Sequence, residues 1–505
     1  MVTDTTGPIL SDRALGWLRF LWDKATTRDD WSDQGVPHAW WDAYTSTPTC
    51  SFQRFDLSEM AYAAPMMMES TPAWREVYVR ITDEILSRYR SFWAAVDWLT
   101  MIGPDPSMDR YPPEWLVEVP ESLRGRYPLP SWTGNGIEPW GLQPDPVGAD
   151  GNLMHRAWLN LTLSFRRYLS GDATEHDSFN VTGYRNRQFP WSHARIANLL
   201  NHQLIDRPQG CHCENTKVFP FCVTATGLGL QLYDRLLGTN LHAPYPEWVK
   251  FARKNFMGLK PNGDLDWFAF YYDPIVEKVG TLHEPYNVMV WLHLLYPQDK
   301  AWATQLYESC MRAAGFSDHR FPVVQIGRDP RMLVTGLVMA REMGDVKTEA
   351  RLREVVENEY QPRWFGAEND RFGYWFGFDE PWPRGQLNAT LMMAEVGEPG
   401  AWSRVFNEPL IHVHSQPTVR DVDYPSLGIS HARNDMSKRV LDVLTTAATP
   451  SKRGVRTSFT VDRLPDPAAI TVKLDGQDHP QWRVTGADSV AIDLDIDAHH
   501  LQLRF

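Results

Sequence analysis

The chain has 505 residues, of which 43% are hydrophobic and 22% are charged, and its formal net charge is −13. This composition is typical of a globular protein and excludes a disordered chain. The acidic balance, without a run rich in Lys or Arg, argues against a nucleic-acid partner, because a phosphate backbone is bound by clustered cations. The counts of 22 Trp and 5 Cys are the two unusual features.

Apolar residues with helical spacing recur along the first four-fifths of the chain. They predict helices near 10–25, 55–69, 71–99, 153–171, 191–206, 221–238, 284–296, 299–314, 331–344, 347–359 and 385–397. Thr71 and Pro72 resemble an N-cap and first helical residue, and the glycines at 171, 238, 344 and 397 resemble C-caps. Helices in this number, with few strand signals between them, predict an all-α fold, an (α/α)6 barrel in residues 1–450.

The pattern changes after about residue 450. Short alternating runs rich in β-branched residues occur at 456–459, 469–474 and 489–505, and Asp475-Gly476 is typical of a hairpin turn. The sequence therefore predicts a small β appendage in residues 451–505.

The polar amino terminus does not resemble a signal peptide, and no stretch approaches the roughly 18 apolar residues of a membrane-spanning helix. With an odd number of cysteines, this favours a cytoplasmic protein with free thiols and no membrane insertion. Cys50 and Cys310 are isolated and are interpreted as packing residues.

Three cysteines, Cys211, Cys213 and Cys222, fall within residues 210–222, directly before a predicted helix. One hypothesis is that they are small buried hydrophobes. A second is a zinc site with His202 and His212, although the spacing is not that of a paired C-x2-C motif. The third is thiol acid/base chemistry, since a helix N-terminus favours a thiolate.

The segment from Cys213 to Cys222, followed by Leu-Tyr-Asp-Arg-Leu-Leu-Gly-Thr at 232–239, resembles the linalool dehydratase/isomerase family. Segments 152–160 and 269–274, the latter interpreted as a turn, and Pro285-Tyr286 also resemble that family, over about residues 40–440. The resemblance implies an (α/α)6 barrel and a homo-oligomer. It also implies elimination and double-bond isomerisation of an allylic terpene alcohol without a cofactor or metal, with Cys213 and Cys222 as the acid/base pair.

The same resemblance implies further site residues. It suggests Asp56 as an acidic helper and His155 as a substitute for a family histidine whose position Trp158 occupies. Independently of the resemblance, Tyr286, like Tyr62, Tyr271 and Tyr272, is a candidate donor to a substrate hydroxyl. The segment after Cys213 departs from the family, and Lys217 adds a cation there. The expected substrate-binding residues are Trp158, Glu214, Asn215, Phe221, Tyr62, Tyr271 and Tyr272.

The leading hypothesis is thus a hydro-lyase or isomerase for a small, apolar, isoprenoid-like allylic alcohol or alkene, held in an aromatic pocket. One alternative is a carbohydrate-processing enzyme with paired carboxylates, drawn from Asp97, Asp264, Asp266 and Glu284. Another is a protein that binds an apolar ligand without turning it over.

Overall fold

The structure is a computed structural model. It describes residues 7–27, 58–91, 145–148, 153–172, 176–183, 187–213, 217–274, 277–282, 285–314, 330–376, 383 and 385–505. All statements below concern these residues.

Thirteen α-helices are described. In chain order they are α1 Asp12–Thr26, α2 Ala63–Met67, α3 Glu76–Tyr89, α4 Leu153–Ser170, α5 His193–Asp206, α6 Pro220–Leu237, α7 Tyr245–Asn255, α8 Leu292–Leu295, α9 Lys300–Ala314, α10 Pro330–Met343, α11 Val346–Glu359, α12 Gly385–Val396 and α13 Ala401–Asn407. Short 3-10 helices occupy Pro285–Trp291, Ile411–Ser415 and Pro450–Lys452. None of the described helices has the length and hydrophobicity needed to cross a membrane.

Strands are found both between the helices and after them. They are β1 Phe179–Thr182, β2 Gln188–Trp191, β3 Met257–Leu259, β4 Leu265–Asp273, β5 Lys278–Leu282, β6 Arg363–Phe365, β7 Arg371–Gly373, β8 Thr418–Arg420, β9 Leu427–Asp435, β10 Val440–Ala447, β11 Arg456–Asp462, β12 Thr471–Leu474, β13 Gln477–Asp478, β14 Trp482–Val484, β15 Val490–Asp495 and β16 His500–Arg504.

The predicted all-α fold, an (α/α)6 barrel with a small β appendage, is wrong, because the described residues form five β-sheets and the fold is mixed. Three of these sheets, β1-β2, β3-β4-β5 and β6-β7, interrupt the helical part. Most of their strands have only three to five residues, too few to show a period of two. Strand β4 carries aromatic residues on both faces, and its end at 269–273 was interpreted as a turn.

Helix ends were predicted better than helix starts. Gly171, Gly238 and Gly344 have φ values of 75°, 69° and 71°, the left-handed conformation expected at a C-cap. Helix α12 also ends where predicted, at Val396 directly before Gly397, but Gly397 is not in the left-handed conformation that was expected of it. The predicted start at Thr71 is wrong, because helix α3 begins at Glu76, and residues 92–99 of that prediction lie outside the described residues.

Helices α4 and α6 pack against each other and supply much of the core around the cysteines. Cys222, Ala225, Gly229 and Leu232, which share one face of α6 at spacings of three and four residues, are buried. This pair of helices positions the site described below.

Two larger antiparallel sheets follow the helices. One has the strand order β13-β12-β16-β10-β9 and the other β14-β15-β11-β8. Alternate residues of β10 and β16 are buried, so the first sheet has an apolar inner face and a polar outer face. Strands β8, β9 and β10 precede residue 450 and belong to these sheets. The β structure therefore begins earlier than the predicted boundary, and the division into two domains at residue 450 stays a prediction.

Backbone hydrogen bonds connect the β region to the helical part. The N–H of Ala73 donates to the carbonyl of Ala432 at 2.9 Å, and the N–H of Val419 donates to the carbonyl of Ala73 at 2.7 Å. The carboxylate of Glu76, at the start of α3, accepts the N–H groups of Asp421 and Val422 at 2.9 and 2.8 Å. One acidic side chain thus joins the first turn of a helix to the loop after β8.

We expect Glu76→Ala to lower the free energy of unfolding by about 2 kcal/mol, because two backbone N–H groups lose their acceptor. Glu84→Ala on the same helix is the matched control, since Glu84 forms a partly exposed ion pair with Arg80 and its loss costs about 0.5 kcal/mol or less. Urea unfolding of the two variants measures the difference. Equal losses in both would contradict a connecting role for Glu76.

Candidate active site

The structure brings Cys213 and Cys222 together. Their sulfur atoms are 3.7 Å apart, and the two residues are only 1% and 3% exposed. At this distance one thiol donates a weak hydrogen bond to the other sulfur. Neither cysteine is in a disulfide, so they form a buried dithiol pair.

Each member of the pair lies at the N-terminal end of a helix. The Sγ atom of Cys213 accepts the N–H of Met154, the second residue of α4, at 3.3 Å. Cys222 is the third residue of α6. First-turn N–H groups have no partner within their own helix, and the Cys213 sulfur accepts one of these groups from α4.

The loop between the two cysteines is held by backbone pairing. The N–H of Cys213 donates to the carbonyl of Lys217 at 2.7 Å. Val218 and Tyr272 exchange two backbone hydrogen bonds, of 2.6 and 2.9 Å, which attach this loop to strand β4. The Cys213 sulfur is therefore positioned by a loop fixed to a sheet, whereas Cys222 is positioned by a helix.

Lys217, which the sequence placed near Cys213 as an added cation, forms an ion pair with Asp273. Its Nζ atom is 3.2 Å from Oδ2 of Asp273, whose side chain is 1% exposed. Burial lowers the pKa of Lys217, and the nearby Asp273 carboxylate opposes that shift. The Asp273 carboxylate thus balances the positive charge of Lys217.

Aromatic side chains surround the helix end that carries Cys222. The rings of Trp158 and Phe221 lie 4.8 Å apart, and Nε1 of Trp158 donates to the hydroxyl of Tyr62 at 2.7 Å. Burial raises the pKa of Tyr62 well above its usual value, and the neighbouring Glu59 adds to the effect. Trp158 is therefore held rigidly and supplies an apolar ring.

Tyr271 and Tyr272 lie on β4, at the edge that the cysteine loop joins. The ring of Tyr271 packs 6.0 Å from that of Phe219, and the ring of Tyr272 packs 5.7 Å from that of Phe256. Tyr272 is tied to the loop through its backbone. A direct approach of either hydroxyl to the sulfur atoms stays a prediction.

His155 points toward helix α3. Its Nε2 atom lies 3.1 Å from the carbonyl oxygen of Tyr89, and burial lowers its pKa to about 4. The imidazole is therefore neutral at pH 7 and its described hydrogen bond is made to Tyr89. A role beside the thiols stays a prediction.

Several predicted residues fall outside the described part of the chain. These are Asp56, Glu214, Asn215, Cys50, Asp97 and Glu284, and the side chain of Tyr286. Of the carboxylates in the alternative carbohydrate hypothesis, Asp264 is in an ion pair with Arg312, 2.7 Å from its Nη2 atom.

For the zinc hypothesis, His202 is exposed whereas His212 and the three cysteines of the segment are buried. No three His, Cys, Asp or Glu side chains in the described ranges are grouped so as to hold a metal ion.

Two buried polar residues near Tyr62 were not singled out from the sequence. Glu59 accepts hydrogen bonds from Gln386 at 3.1 Å and from Thr390 at 2.9 Å, and burial raises its pKa to about 7. The ring of His293 lies 5.6 Å from that of Tyr62, and burial lowers its pKa to about 3. Glu59 is preceded by Asp56, Leu57 and Ser58, and nothing in that local pattern distinguishes it from a surface acid.

We expect Lys217→Met to destabilise the fold by about 3 kcal/mol, because it leaves the buried Asp273 carboxylate without its cation. The double variant Lys217→Met/Asp273→Asn removes both charges and should recover a large part of this loss. Thermal unfolding of the single and double variants tests the expectation. A double variant less stable than the single one would show that the charge balance is not what holds the loop.

Glu59 gives a pH-dependent expectation. Its folded pKa of about 7 lies above the ordinary value of 4.5, so the carboxyl contributes stability below pH 4.5 that is lost as pH rises through 7. Glu59→Gln cannot ionise, and the stability of wild type relative to this variant should fall by about 3 kcal/mol between pH 4.5 and 8. Denaturant unfolding across this range measures it, and a difference independent of pH would exclude a raised pKa.

A comparison with known protein families matches the segment that carries the cysteine pair. Residues 131–369 match the model of the linalool dehydratase/isomerase family, a region that includes both thiols, Trp158 and strand β4. The resemblance found in the sequence is thereby confirmed. Through this segment the chain is similar to the linalool dehydratase/isomerase family.

Proposed function

We propose that this protein is a cofactor-free dehydratase/isomerase that acts on a small, apolar, isoprenoid-like allylic alcohol or alkene through Cys213 and Cys222. The observation that carries the proposal is the buried dithiol pair, with its sulfur atoms 3.7 Å apart at the ends of two helices. The match of residues 131–369 to the linalool dehydratase/isomerase family model supports the reaction class.

Dehydration needs one group that gives a proton and another that takes one. We assign the acid to Cys222, whose S–H protonates the hydroxyl so that the C–O bond breaks and water leaves. The Cys213 thiolate removes a proton from the neighbouring carbon, and the C–H electron pair becomes the new double bond. Afterwards Cys213 is a thiol and Cys222 a thiolate, and proton transfer across the 3.7 Å gap restores the starting state.

The assignment of roles follows from the hydrogen bonds. Cys213 accepts the N–H of Met154, a contact that favours its anionic form. The geometry of the pair is that of Cys222 donating to Cys213. A thiolate at Cys213 and a thiol at Cys222 are thus the protonation states that these contacts support.

Isomerisation uses the same steps in the opposite direction. If water returns to the other end of the allylic system, the double bond is displaced and no atom is gained or lost. The positive charge that develops on the allylic carbons is stabilised by aromatic faces, and the rings of Trp158 and Phe221 lie beside the helix end that carries Cys222. An indole in place of an ionisable imidazole favours a substrate with little polarity at that point.

The two thiols can be tested by substitution. We expect Cys213→Ser and Cys222→Ser each to lower turnover of allylic alcohols by at least about 100-fold, because a serine hydroxyl is far less acidic than a thiol and general acid/base catalysis contributes about that much. Cys310→Ala is the matched control. Cys310 is also a buried cysteine outside any disulfide, but it lies in α9, so turnover by this variant should stay near that of wild type.

The assay incubates purified protein with 2-methyl-3-buten-2-ol, linalool and the corresponding dienes and follows the products by gas chromatography with mass detection. Circular dichroism checks that each variant is folded. Wild-type turnover that persists in a folded Cys213→Ser or Cys222→Ser protein would exclude the dithiol mechanism. Activity on glycosides that is unaffected by either substitution would favour the carbohydrate hypothesis.

A further inference from the structure

Trp158 lies next to both helix ends that carry the thiols. It follows Met154 by four residues on α4, so the two side chains share one face of that helix, and the N–H of Met154 bonds to Sγ of Cys213. A helical side chain leans toward the N-terminus of its helix, which brings the indole over the turn of Met154. On α6 the ring of Phe221, the residue before Cys222, lies 4.8 Å from the indole. The indole therefore occupies the space beside the dithiol pair.

The indole belongs to a packed group of buried rings. Its Nε1 atom donates to the hydroxyl of Tyr62 at 2.7 Å. The ring of Tyr62 lies 5.3 Å from that of Trp402, 5.6 Å from that of His293 and 6.3 Å from that of Phe165. These five side chains, which we call the closed layer, are at most 1% exposed. Because a packed interior leaves no room for a ring to swing aside, the indole cannot yield to a ligand.

The thiols lie at the edge of the closed layer. Cys213 is 1% exposed and Cys222 is 3% exposed. Exposure rises on the other side of them, where Phe221 is partly exposed. Phe270 of β4 is 51% exposed, and its ring lies 5.5 Å from that of Phe219, the residue before α6. The rings with exposed surface thus lie on α6 and β4, and the closed layer limits the room for hydrocarbon beside the sulfur atoms.

We propose that Trp158 limits the length of the substrate, so that the site takes a five-carbon allylic alcohol and rejects its ten-carbon homologue. This inference rests on the function proposed above, because it names the substrate that the dithiol pair converts. A longer chain needs the volume that the indole occupies. One additional or missing methylene in an apolar pocket already changes specificity by about 10–200-fold.

Competition between 2-methyl-3-buten-2-ol and linalool measures the limit. We expect kcat/KM of wild type for the five-carbon alcohol to exceed that for linalool by at least about 10-fold. Trp158→Ala should lower this preference by at least about 10-fold, because it opens an apolar cavity beside the thiols that a hydrocarbon chain can fill. Trp158→Phe opens a smaller cavity and should change the preference in the same direction, and it decides the question if Trp158→Ala does not fold.

Trp302→Ala is the matched control for lost packing. Trp302 is also a fully buried indole, but it lies in α9, and its ring packs 6.5 Å from that of Phe268 and 6.3 Å from that of Trp291. This variant loses a side chain of the same size outside the closed layer. It should therefore keep the wild-type preference for the shorter alcohol.

Saturated alcohols separate the length limit from the reaction. 2-Methyl-2-butanol and 3,7-dimethyl-3-octanol have the carbon skeletons of the two substrates but no double bond, so their binding is measured by isothermal calorimetry without turnover. Because the longer alcohol buries more apolar surface, a site without a length limit would favour it. We expect wild type to bind the shorter one at least about 10-fold more tightly, and the folded Trp158 variants to lose this preference.

The length limit is overturned if wild type takes the longer alcohol as well as the shorter one in either measurement, or if it binds neither saturated alcohol. It is also overturned if folded Trp158 variants keep the wild-type preference, or if Trp302→Ala loses that preference to the same extent. Selective binding of the shorter saturated alcohol without turnover of any allylic alcohol would support the limit and contradict the proposed function.

Discussion

The dithiol pair depends on how closely helices α4 and α6 approach. A Cβ atom at Gly229 of α6 would lie 2.7 Å from Nδ2 of Asn160 and 3.3 Å from the backbone N of Leu161 on α4. Because glycine has no Cβ, the two backbones meet there, and the hydroxyl of Ser164 donates to the carbonyl of Gly229 at 3.3 Å. This contact lies about two turns along α6 from Cys222. It orients the first turn so that the sulfur faces Cys213.

The second support of the pair consists of hydrogen bonds and one ion pair that hold the loop of Cys213. Cys213 lies in a loop, and a loop holds a catalytic atom accurately only when its backbone groups are bonded. Here Met154 and Lys217 bond to the sulfur and to the backbone of Cys213, and strand β4 carries the far end of the loop. The buried Lys217–Asp273 ion pair lies across this junction. Two unlike supports, a helix and a sheet edge, thus fix one sulfur–sulfur distance.

Sequence-based prediction was most accurate where a single physical cause determines a local structural feature. The C-caps at Gly171, Gly238 and Gly344 follow from the left-handed backbone, and the cysteine spacing identified the pair that the fold brings together. The strands within the helical part were missed because pairing is a long-range property, and β4 has no alternation to reveal it. Glu59 was missed because burial, which raises its pKa, is not visible in neighbouring residues.

Ionisable groups around Tyr62 are buried, whereas Lys473 and Arg504 on the outer sheet face are exposed. Around Tyr62, burial raises the pKa values of Tyr62 and Glu59 and lowers that of His293, so each neutral form is favoured. On the sheet, Lys473 and Arg504 keep their charges exposed. The inner face of that sheet belongs to the common hydrophobic core, so the strands stabilise the fold while their outer face stays polar.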